Sequence, residues 1–351
     1  MNEIHLTIGT YTQGPDPRRG IVHAVLAGDG SSIEARAVTA FPDPSWVVRS
    51  PDGRTFYAVS EATQGEVGAL SADAGGEDGA LERLAVHPTG GADPCHGSLL
   101  NGGTHLAIAN YSSGSLSVHP VGAAGSIGAQ SSLVQHVGSG PDPDRQAGPH
   151  AHMVTEDPQG RHVLAIDLGV DSIFGYELDP DSGVLNEVAR TRLRPGFGPR
   201  HLVFHPDGRH VYVIGELGFT LAVCTYDARH AELTVLDEVP VLEHGVPGED
   251  FPSAVRISPD GRFLYTGNRG RDTICVFSLA TGPEKPELVA TVPTGGSWPR
   301  DLALSPDGTL LLSANQKAGS VTVFRLDPET GIPEPTGAQL SVPAPTCLVL
   351  A

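Results

Sequence analysis

Cysteine is scarce in this chain of 351 residues, which has four, at positions 95, 224, 275 and 347. Their spacing contains no C-x-x-C pair and does not form the dense pattern of a disulfide-stapled scaffold. Apolar runs approaching the roughly 18 residues that cross a bilayer are missing, and the first residues, MNEIH, lack the basic and apolar segments of a signal peptide. These absences predict a reduced, cytoplasmic protein without a membrane partner.

Basic residues are also few. The 22 lysines and arginines stand against 41 acidic residues, and the net charge is -19. Such a charge repels nucleic acids and anionic membranes, so neither is an expected partner. An anionic ligand would have to be held by a local cluster of Arg, Lys and His, against the field of the whole protein.

Segments with a 3.6-residue apolar period long enough for a helix are few. Glycine and proline are abundant instead, at 44 and 30 residues, as in folds with many tight turns. The composition therefore predicts an all-β protein.

One pattern recurs along the chain. Residues 198–216, GPRHLVFHPDGRHVYVIGE, form a short apolar strand, a Pro-Asp-Gly turn and a second apolar strand. Its turn repeats at a spacing of roughly 50 residues, the period of propeller blades. The six turns lie at Pro51, Asn101, Pro158, Pro206, Pro259 and Pro306. A third-strand signature follows five of them, at residues 113–120, 171–178, 219–226, 272–279 and 319–326.

The two ends of the chain supply a seventh copy. Residues 344–351 offer a strand with no turn after it, and residues 4–11 offer a strand with no strand before it. Joining them in one blade closes the ring, so that no blade leaves a face unburied. We therefore predict a seven-bladed β-propeller with four antiparallel strands per blade, forming a single domain over residues 1–351.

The repeat also predicts where a ligand binds. First strands begin and second strands end at one end of the central channel, called the mouth here, whereas the Pro-Asp-Gly turns lie at the opposite turn end. Residue types vary at the mouth and are nearly uniform at the turn end, so the mouth is the predicted site. First strands bring Trp46, His96, His150, His152, Arg200, His201, Ser253, Trp298 and Arg300 to it. Second strands bring Glu61, Asn110, Tyr111, Asp167, Glu216, Arg269, Gln316 and Lys317.

A long polar loop, GSGPDPDRQAGPHAH at residues 138–152, leads into one first strand. Loops of this length are often functional, so Arg145 and Gln146 become candidate substrate-binding residues; a mobile turn is the alternative. His150 and His152 are two apart on a strand and would point to the same side. An imidazole there is suited to general base catalysis, although either ring could instead hydrogen-bond across the channel.

Arg200 and Arg269 offer forked donors for a carboxylate, a phosphate or an oxyanion, although Arg200 could equally form a structural ion pair with Glu216. His201, His205 and His210 are expected in blade packing or at the surface. Polar or apolar contacts to a polyhydroxy ligand are expected from Asn110, Tyr111, Gln316, Lys317, Trp46 and His96.

The mouth also contains oxygen donors of the kind that bind metals. Glu61, Asn110, Asp167 and Glu216 could supply oxygen ligands, but the arginines and lysine of the same small mouth would repel a cation. We therefore expect neither a metal nor another cofactor.

These residues resemble a known family. The segments GTYT at 9–12, ANY at 109–111, DRQ at 144–146, GPHAH at 148–152, GPRHLVFHP at 198–206, GEL at 215–217, GNR at 267–269 and ANQK at 314–317 are similar to the seven-bladed propeller lactonases. That family includes cycloisomerase-2-type 6-phosphogluconolactonases and carboxymuconate lactonizing enzymes. The resemblance implies a metal-independent catalytic site at His150, Arg200, Glu216 and Arg269. Whether His150 or His152 is the base stays open.

The resemblance further implies hydrolysis of 6-phosphogluconolactone, a step of the pentose phosphate pathway. In this hypothesis His150 deprotonates water, Arg200 and Arg269 bind the anion and Glu216 orients the base. The phosphate requires a cationic partner, for which Arg200, Arg269 and Lys317 are the candidates. A muconate-type cycloisomerase and a non-catalytic binding platform are the alternatives, because the fold itself implies no reaction. An anionic sugar lactone is the expected partner, and the protein is expected to be a monomer or a weak homo-oligomer.

Overall fold

The computed structural model describes residues 3–14, 19–72, 79–242, 245–246 and 248–350. They form seven sheets of four antiparallel strands, which confirms the predicted seven-bladed, all-β propeller. The described part has no α-helix, only two short 3-10 turns at Asn101–Gly103 and Ala123–Gly125. None of its helices has the length and apolar character that spanning a membrane requires. Its four cysteines are unpaired and buried.

The blades follow one another along the chain, and each runs from an inner first strand to an outer fourth strand. Blade 1 has β4 (Val47–Arg49), β5 (Thr55–Ser60), β6 (Glu66–Ser71) and β7 (Glu82–Pro88). Blade 2 has β8 (Pro94–Leu100), β9 (His105–Asn110), β10 (Ser115–Pro120) and β11 (Ser132–Gln135). Blade 3 has β12 (Ala151–Glu156), β13 (Val163–Asp167), β14 (Ser172–Leu178) and β15 (Leu185–Arg192).

The second half of the ring repeats this arrangement. Blade 4 has β16 (Pro199–Phe204), β17 (His210–Gly215), β18 (Thr220–Asp227) and β19 (Glu232–Pro240). Blade 5 has β20 (Phe251–Ile257), β21 (Phe263–Arg269), β22 (Thr273–Ser278) and β23 (Glu287–Pro293). Blade 6 has β24 (Pro299–Leu304), β25 (Leu310–Asn315), β26 (Ser320–Leu326) and β27 (Pro333–Ser341).

The closing blade joins the two ends of the chain, as predicted. Its first strand is the C-terminal β28 (Pro345–Leu350), which pairs with β1 (Glu3–Thr10). The N-terminal strands β2 (Ile21–Ala27) and β3 (Ile33–Thr39) complete the sheet outward. First strands of neighbouring blades contact one another all the way round, so they line the central channel.

The Pro-Asp-Gly turns form as their residue types require. Glycines 53, 160, 208, 261 and 308 adopt φ between 64° and 74°, a left-handed conformation that costs glycine least. In four turns the preceding aspartate accepts a hydrogen bond from the backbone N–H two residues on, at 2.8 to 3.1 Å. Each of these turns therefore carries a stabilising hydrogen bond of its own.

The core lies between adjacent blades rather than inside one. One apolar cluster, for example, joins Ile166 of blade 3 to Val213 and Cys224 of blade 4. Tyrosines four residues after the turn glycine also tie blades together: the hydroxyls of Tyr57 and Tyr212 donate to carbonyls of the next blade at 3.1 and 2.6 Å. Because every blade depends on its neighbours, the strand ends that form the mouth are held in fixed positions.

The predicted loop at 138–152 follows β11 and leads into β12, whose first two residues, Ala151 and His152, are the last two of the predicted range. The sequence also predicts a loop at AGGEDG, residues 74–79, and a turn at PDPRRG, residues 15–20. Both fall largely on residues 73–78 and 15–18, outside the described residues.

Candidate functional site

A β-bulge near the start of the first strand recurs around the ring. In five blades the pairing skips one residue there, which turns that side chain out of the regular alternation. The skipped residues are Cys95, His152, Arg200, Arg300 and Thr346. Three of the five carry the imidazole or guanidinium groups that are candidates for chemistry, so the bulge orients these side chains toward the channel.

Glu216, at the end of β17, is the centre of the mouth. Its carboxylate contacts three arginines from three elements: Nη2 of Arg145 at 2.6 Å, Nε of Arg200 at 3.1 Å and Nη2 of Arg269 at 2.5 Å. The Glu216 side chain is 4% exposed, and those of Arg200 and Arg269 are 4% and 8% exposed. The structure thus brings together three of the four residues that the resemblance implies are catalytic.

The charges of this group shift one another's pKa values. Burial alone would raise the pKa of Glu216, but Arg269, Arg200 and Arg145 together hold it well below its usual range. Burial, and then the like charge of Arg269, lower the pKa of Arg200 to about 9, so its guanidinium remains charged at neutral pH. The group therefore holds three positive charges around one negative charge.

His150 joins this group through Tyr111. Its ring stacks on that of Tyr111, with centroids 4.5 Å apart, and its Nδ1 lies 3.0 Å from the Tyr111 carbonyl oxygen. Because a carbonyl only accepts, Nδ1 carries the hydrogen there, and Nε2 of the neutral ring keeps a lone pair. The Tyr111 hydroxyl in turn accepts a hydrogen bond from Arg145 at 3.2 Å, so the contacts run from His150 to Glu216.

The backbone of His150 is fixed from the other side by Asp167. One Asp167 oxygen accepts from the His150 N–H at 2.7 Å, and the other lies 2.6 Å from Nδ1 of the buried His136. The sequence predicts that Glu216 orients the base. In the structure the Tyr111 carbonyl contacts the His150 ring, whereas Glu216 contacts arginines. His136 lies outside the strand-end pattern, so that pattern does not predict it as a site residue.

Three further histidines pack against one another in the channel wall. The His201 ring meets those of His96 and His152 edge-on, with centroids 5.5 and 5.2 Å apart, and Trp46 stacks on His96 at 4.1 Å. Burial, followed by nearby arginines, lowers the pKa of all three rings well below the usual value. The sequence predicts His201 in blade packing or at the surface. In the structure it is buried in the packing, and its ring also contacts Arg200.

A second carboxylate lies across the mouth. Glu61 accepts a hydrogen bond of 2.7 Å from the Tyr11 hydroxyl, which accepts one of 2.6 Å from Arg300. Arg300 also lies 3.8 Å from the Glu61 carboxylate. Tyr11 was missed as a site residue, although it follows β1, the second strand of the closing blade, and the strand-end rule therefore applies to it.

Several other predicted site residues have their side chains engaged locally. Gln146 is fully buried, and its amide donates at 2.8 Å to the Leu168 carbonyl and to Asp171, which fixes the loop that carries Arg145. Asn110 is also fully buried and donates to Ser115. Gln316 is half-buried, whereas Lys317 is exposed with Nζ 3.2 Å from the centroid of the Trp298 ring.

A cavity of about 370 Å³ opens onto this group. Arg145, Glu216, Phe219, Asp250 and Phe251 are among its lining residues. Its volume lies at the lower end of the range for small-molecule sites.

Two of the oxygen donors that could bind a metal, Oε2 of Glu61 and Oδ1 of Asn110, are buried without a hydrogen-bond partner among the described residues, whereas other oxygens of this set are engaged. Glu216 is bonded to arginines, Glu61 to Tyr11, and Asp167 to the His150 backbone. Among the described residues, His205, Asp207 and His210 do bring three donor atoms within 4.8 Å, but they lie at the turn end of blade 4. Nδ1 of His205 already accepts the Asp207 N–H at 3.1 Å, so its lone pair is occupied.

Comparisons with known proteins agree with this architecture. The chain is 32% identical over 343 residues to 6-phosphogluconolactonase of Bacillus subtilis, covering 97% of this chain and 96% of the relative. It is 32% identical over 301 residues to 6-phosphogluconolactonase of Formosa agariphila, covering 82% of this chain and 83% of the relative.

A solved structure is similar over nearly the whole chain. The periplasmic gluconolactonase of Pseudomonas aeruginosa superposes with a TM-score of 0.92 at 32% identity, covering 99% of both chains. The model of the family described as "Lactonase, 7-bladed beta-propeller" matches residues 5–350. The chain therefore belongs to the seven-bladed β-propeller lactonase family.

Proposed function

We propose that the protein hydrolyses a sugar lactone, and that its substrate is 6-phosphogluconolactone, which it converts to 6-phosphogluconate. The observation that carries the proposal is the Glu216 group, in which three guanidinium groups surround one buried carboxylate and so hold two positive charges in excess. Lactone hydrolysis develops negative charge on the carbonyl oxygen, and fixed cations in a buried site stabilise such charge. The lactonase relatives support the reaction class.

His150 is the proposed general base. Its Nδ1 is bonded to the Tyr111 carbonyl, so Nε2 takes a proton from water while the water oxygen attacks the lactone carbonyl carbon. The carbonyl electron pair moves to oxygen, where Arg200 and Arg269 stabilise it. When the carbonyl reforms, the bond to the ring oxygen breaks, and that oxygen takes the proton from the imidazolium. The product is the open-chain acid.

Glu216 has a different proposed role from the one first expected. Its carboxylate holds the guanidinium groups of Arg145, Arg200 and Arg269 in one geometry and offsets part of their mutual repulsion. His152, whose pKa is held well below the usual value by burial and by Arg200, is a weaker base than an exposed imidazole. The choice between the two histidines therefore falls on His150.

The test is a substrate panel with the whole protein, using proton release from fresh 6-phosphogluconolactone and from gluconolactone, each corrected for spontaneous hydrolysis. We expect turnover of lactone that a chelator does not reduce. Ultraviolet loss of a muconate without lactone hydrolysis would favour the cycloisomerase alternative. Turnover of no substrate would leave only the binding platform.

We also propose a cytoplasmic location, where phosphorylated sugars are formed. The four unpaired, buried cysteines support a reducing compartment. Because the Pseudomonas aeruginosa relative is periplasmic, cell fractionation of the producing organism is the direct test. Recovery in an extracytoplasmic fraction would contradict this location and favour an unphosphorylated substrate.

A further inference from the structure

Lys317 is one of only two lysines in the sequence, the other being Lys285. Its ammonium lies over the face of Trp298, 3.2 Å from the ring centroid. No carboxylate in the described part of the chain forms an ion pair with it, and the side chain is exposed at the mouth. Lys317 therefore brings a positive charge to the site that the protein does not neutralise.

Arg300 is another cation of blade 6 at the mouth, but the protein itself neutralises its charge. Its guanidinium is paired with Glu61 and bonded to the Tyr11 hydroxyl. Burial would lower the pKa of Arg300, but Tyr11 and Glu61 raise it, so this cation is already matched by the protein. Of the two, Lys317 is the cation left for a ligand.

The backbone holds Lys317 over Trp298. The N–H groups of Gln316 and Lys317 donate to the carbonyls of Trp298 and Ser297 at 3.0 and 3.1 Å. The Trp298 N–H in turn donates to Asp272 at 2.6 Å. The ring and the ammonium thus belong to two segments that are hydrogen-bonded together.

Trp298 itself is held in an unusual conformation. Its φ is 65°, in the left-handed region that a bulky side chain rarely adopts. The same position before the first-strand proline is Asp43, Asp93, Gly198 or Ala344 in other blades, all of them small residues with φ between 38° and 59°. Strain of this kind persists where function requires the side chain. The repeat alone therefore does not account for a ring at this position.

Trp298 connects Lys317 to the Glu216 group. The guanidinium of Arg269, which bonds to Glu216, lies 5.7 Å from the Trp298 centroid and 5.5 Å from that of Phe251. Phe251 and Trp298 lie 5.7 Å apart, and Phe251 lines the cavity beside Glu216. A ligand bound at the Glu216 group could extend along this aromatic wall to the ammonium.

We propose that Lys317, supported on Trp298, is the subsite that binds the phosphate monoester of the substrate. This inference rests on the proposed lactone hydrolysis, in which the Glu216 group holds the lactone end. An ammonium is a point charge suited to phosphate, and its position on an aromatic face keeps it directed without a carboxylate that would compete with the ligand. The subsite would select phosphorylated over unphosphorylated sugar lactones.

The first test compares kcat/KM for 6-phosphogluconolactone with kcat/KM for gluconolactone in wild-type protein, Lys317→Ala and Lys285→Ala. Lys285 is exposed in a loop of blade 5 and is the matched control. We expect the ratio of the two constants to fall at least about tenfold in Lys317→Ala, to be largely restored in Lys317→Arg, and to stay at the wild-type value in Lys285→Ala. An unchanged ratio in Lys317→Ala would overturn the proposal.

A second test does not depend on turnover. Calorimetric titration with 6-phosphogluconate and with gluconate should show that Lys317→Ala raises Kd for the phosphorylated acid at least about tenfold more than for the unphosphorylated one. If the wild-type protein hydrolyses no lactone, the proposed function fails while this titration still decides the subsite. Failure of the wild-type protein to prefer 6-phosphogluconate over gluconate would overturn the subsite.

Discussion

The two ends of the propeller channel are built from the same repeat but in opposite ways. At the turn end each aspartate bonds to the backbone of its own turn, as Asp207 does with the Arg209 N–H at 2.8 Å. At the mouth Glu216 bonds to arginines from the insertion loop, from its own blade and from the next blade. Local contacts make the turn end uniform, whereas contacts between blades make the mouth specific.

The first prediction compares the activity of variants that each lack one charged residue, at the mouth or at the turn end of blade 4. Arg200→Ala and, in blade 3, His150→Ala should each reduce kcat/KM for lactone at least about a hundredfold, because they remove a proposed oxyanion donor and the proposed base. Arg209→Ala, whose side chain is exposed at the turn end, should retain wild-type activity. Circular dichroism melting would verify that the variants are folded.

Equal losses in Arg200→Ala and Arg209→Ala would contradict the distinction between the two ends. Full activity in both His150→Ala and Arg200→Ala would remove the proposed site.

The second comparison concerns stability. Glu216→Gln leaves three arginines facing one another without their shared carboxylate, and loss of one partner from a buried ion pair costs about 3–5 kcal/mol. Asp207→Asn keeps the oxygen that accepts the turn N–H, and its site is partly exposed, so we expect a cost of about 1 kcal/mol or less. Urea unfolding of both variants measures the difference. An equal loss of unfolding free energy in the two variants would contradict the expectation that the three arginines repel one another without the Glu216 charge.

The third and smallest expected effect is a pH dependence of stability caused by the buried histidines of the channel wall. Below about pH 6.5 the unfolded chain protonates these rings, whereas the folded protein keeps them neutral because their pKa values are lowered. Stability should therefore fall as the pH decreases from about 6.5 until the folded rings also protonate. Each ring contributes a slope of up to about 1.4 kcal/mol per pH unit.

Between about pH 6.5 and 5, His96→Gln should reduce this slope by up to about 1.4 kcal/mol per pH unit, which corresponds to one proton. His5→Gln is the matched control, because the ring of His5 is exposed on β1. Urea unfolding across this pH range gives both slopes. A slope that is unchanged in His96→Gln would contradict the assignment.

Much of the fold was predictable because the same strand–turn–strand pattern recurs many times in the sequence. The turns at Pro51, Pro206, Pro259 and Pro306 each carry the same Asp-Gly signal, and the closing pair β28 and β1 follows from an incomplete repeat at each end. The mouth followed from the same argument, since strand ends at one end of a propeller have to converge.

The partnerships within the mouth were less predictable. Distances across the channel depend on how the blades tilt, so the sequence could not show that Arg145 shares Glu216 with two other arginines. Burial of a polar loop residue such as Gln146 leaves no pattern in the sequence. Tyr11 could have been found, because it follows the second strand of the closing blade. The left-handed conformation of Trp298 was visible only in the structure.

The most direct measurement is a crystal structure of the protein with bound 6-phosphogluconate. The account predicts the acid at the mouth, with its carboxylate beside Arg200 and Arg269 and its phosphate beside Lys317. A ligand at the turn end, or at an outer groove between blades with the Glu216 group unliganded, would contradict it.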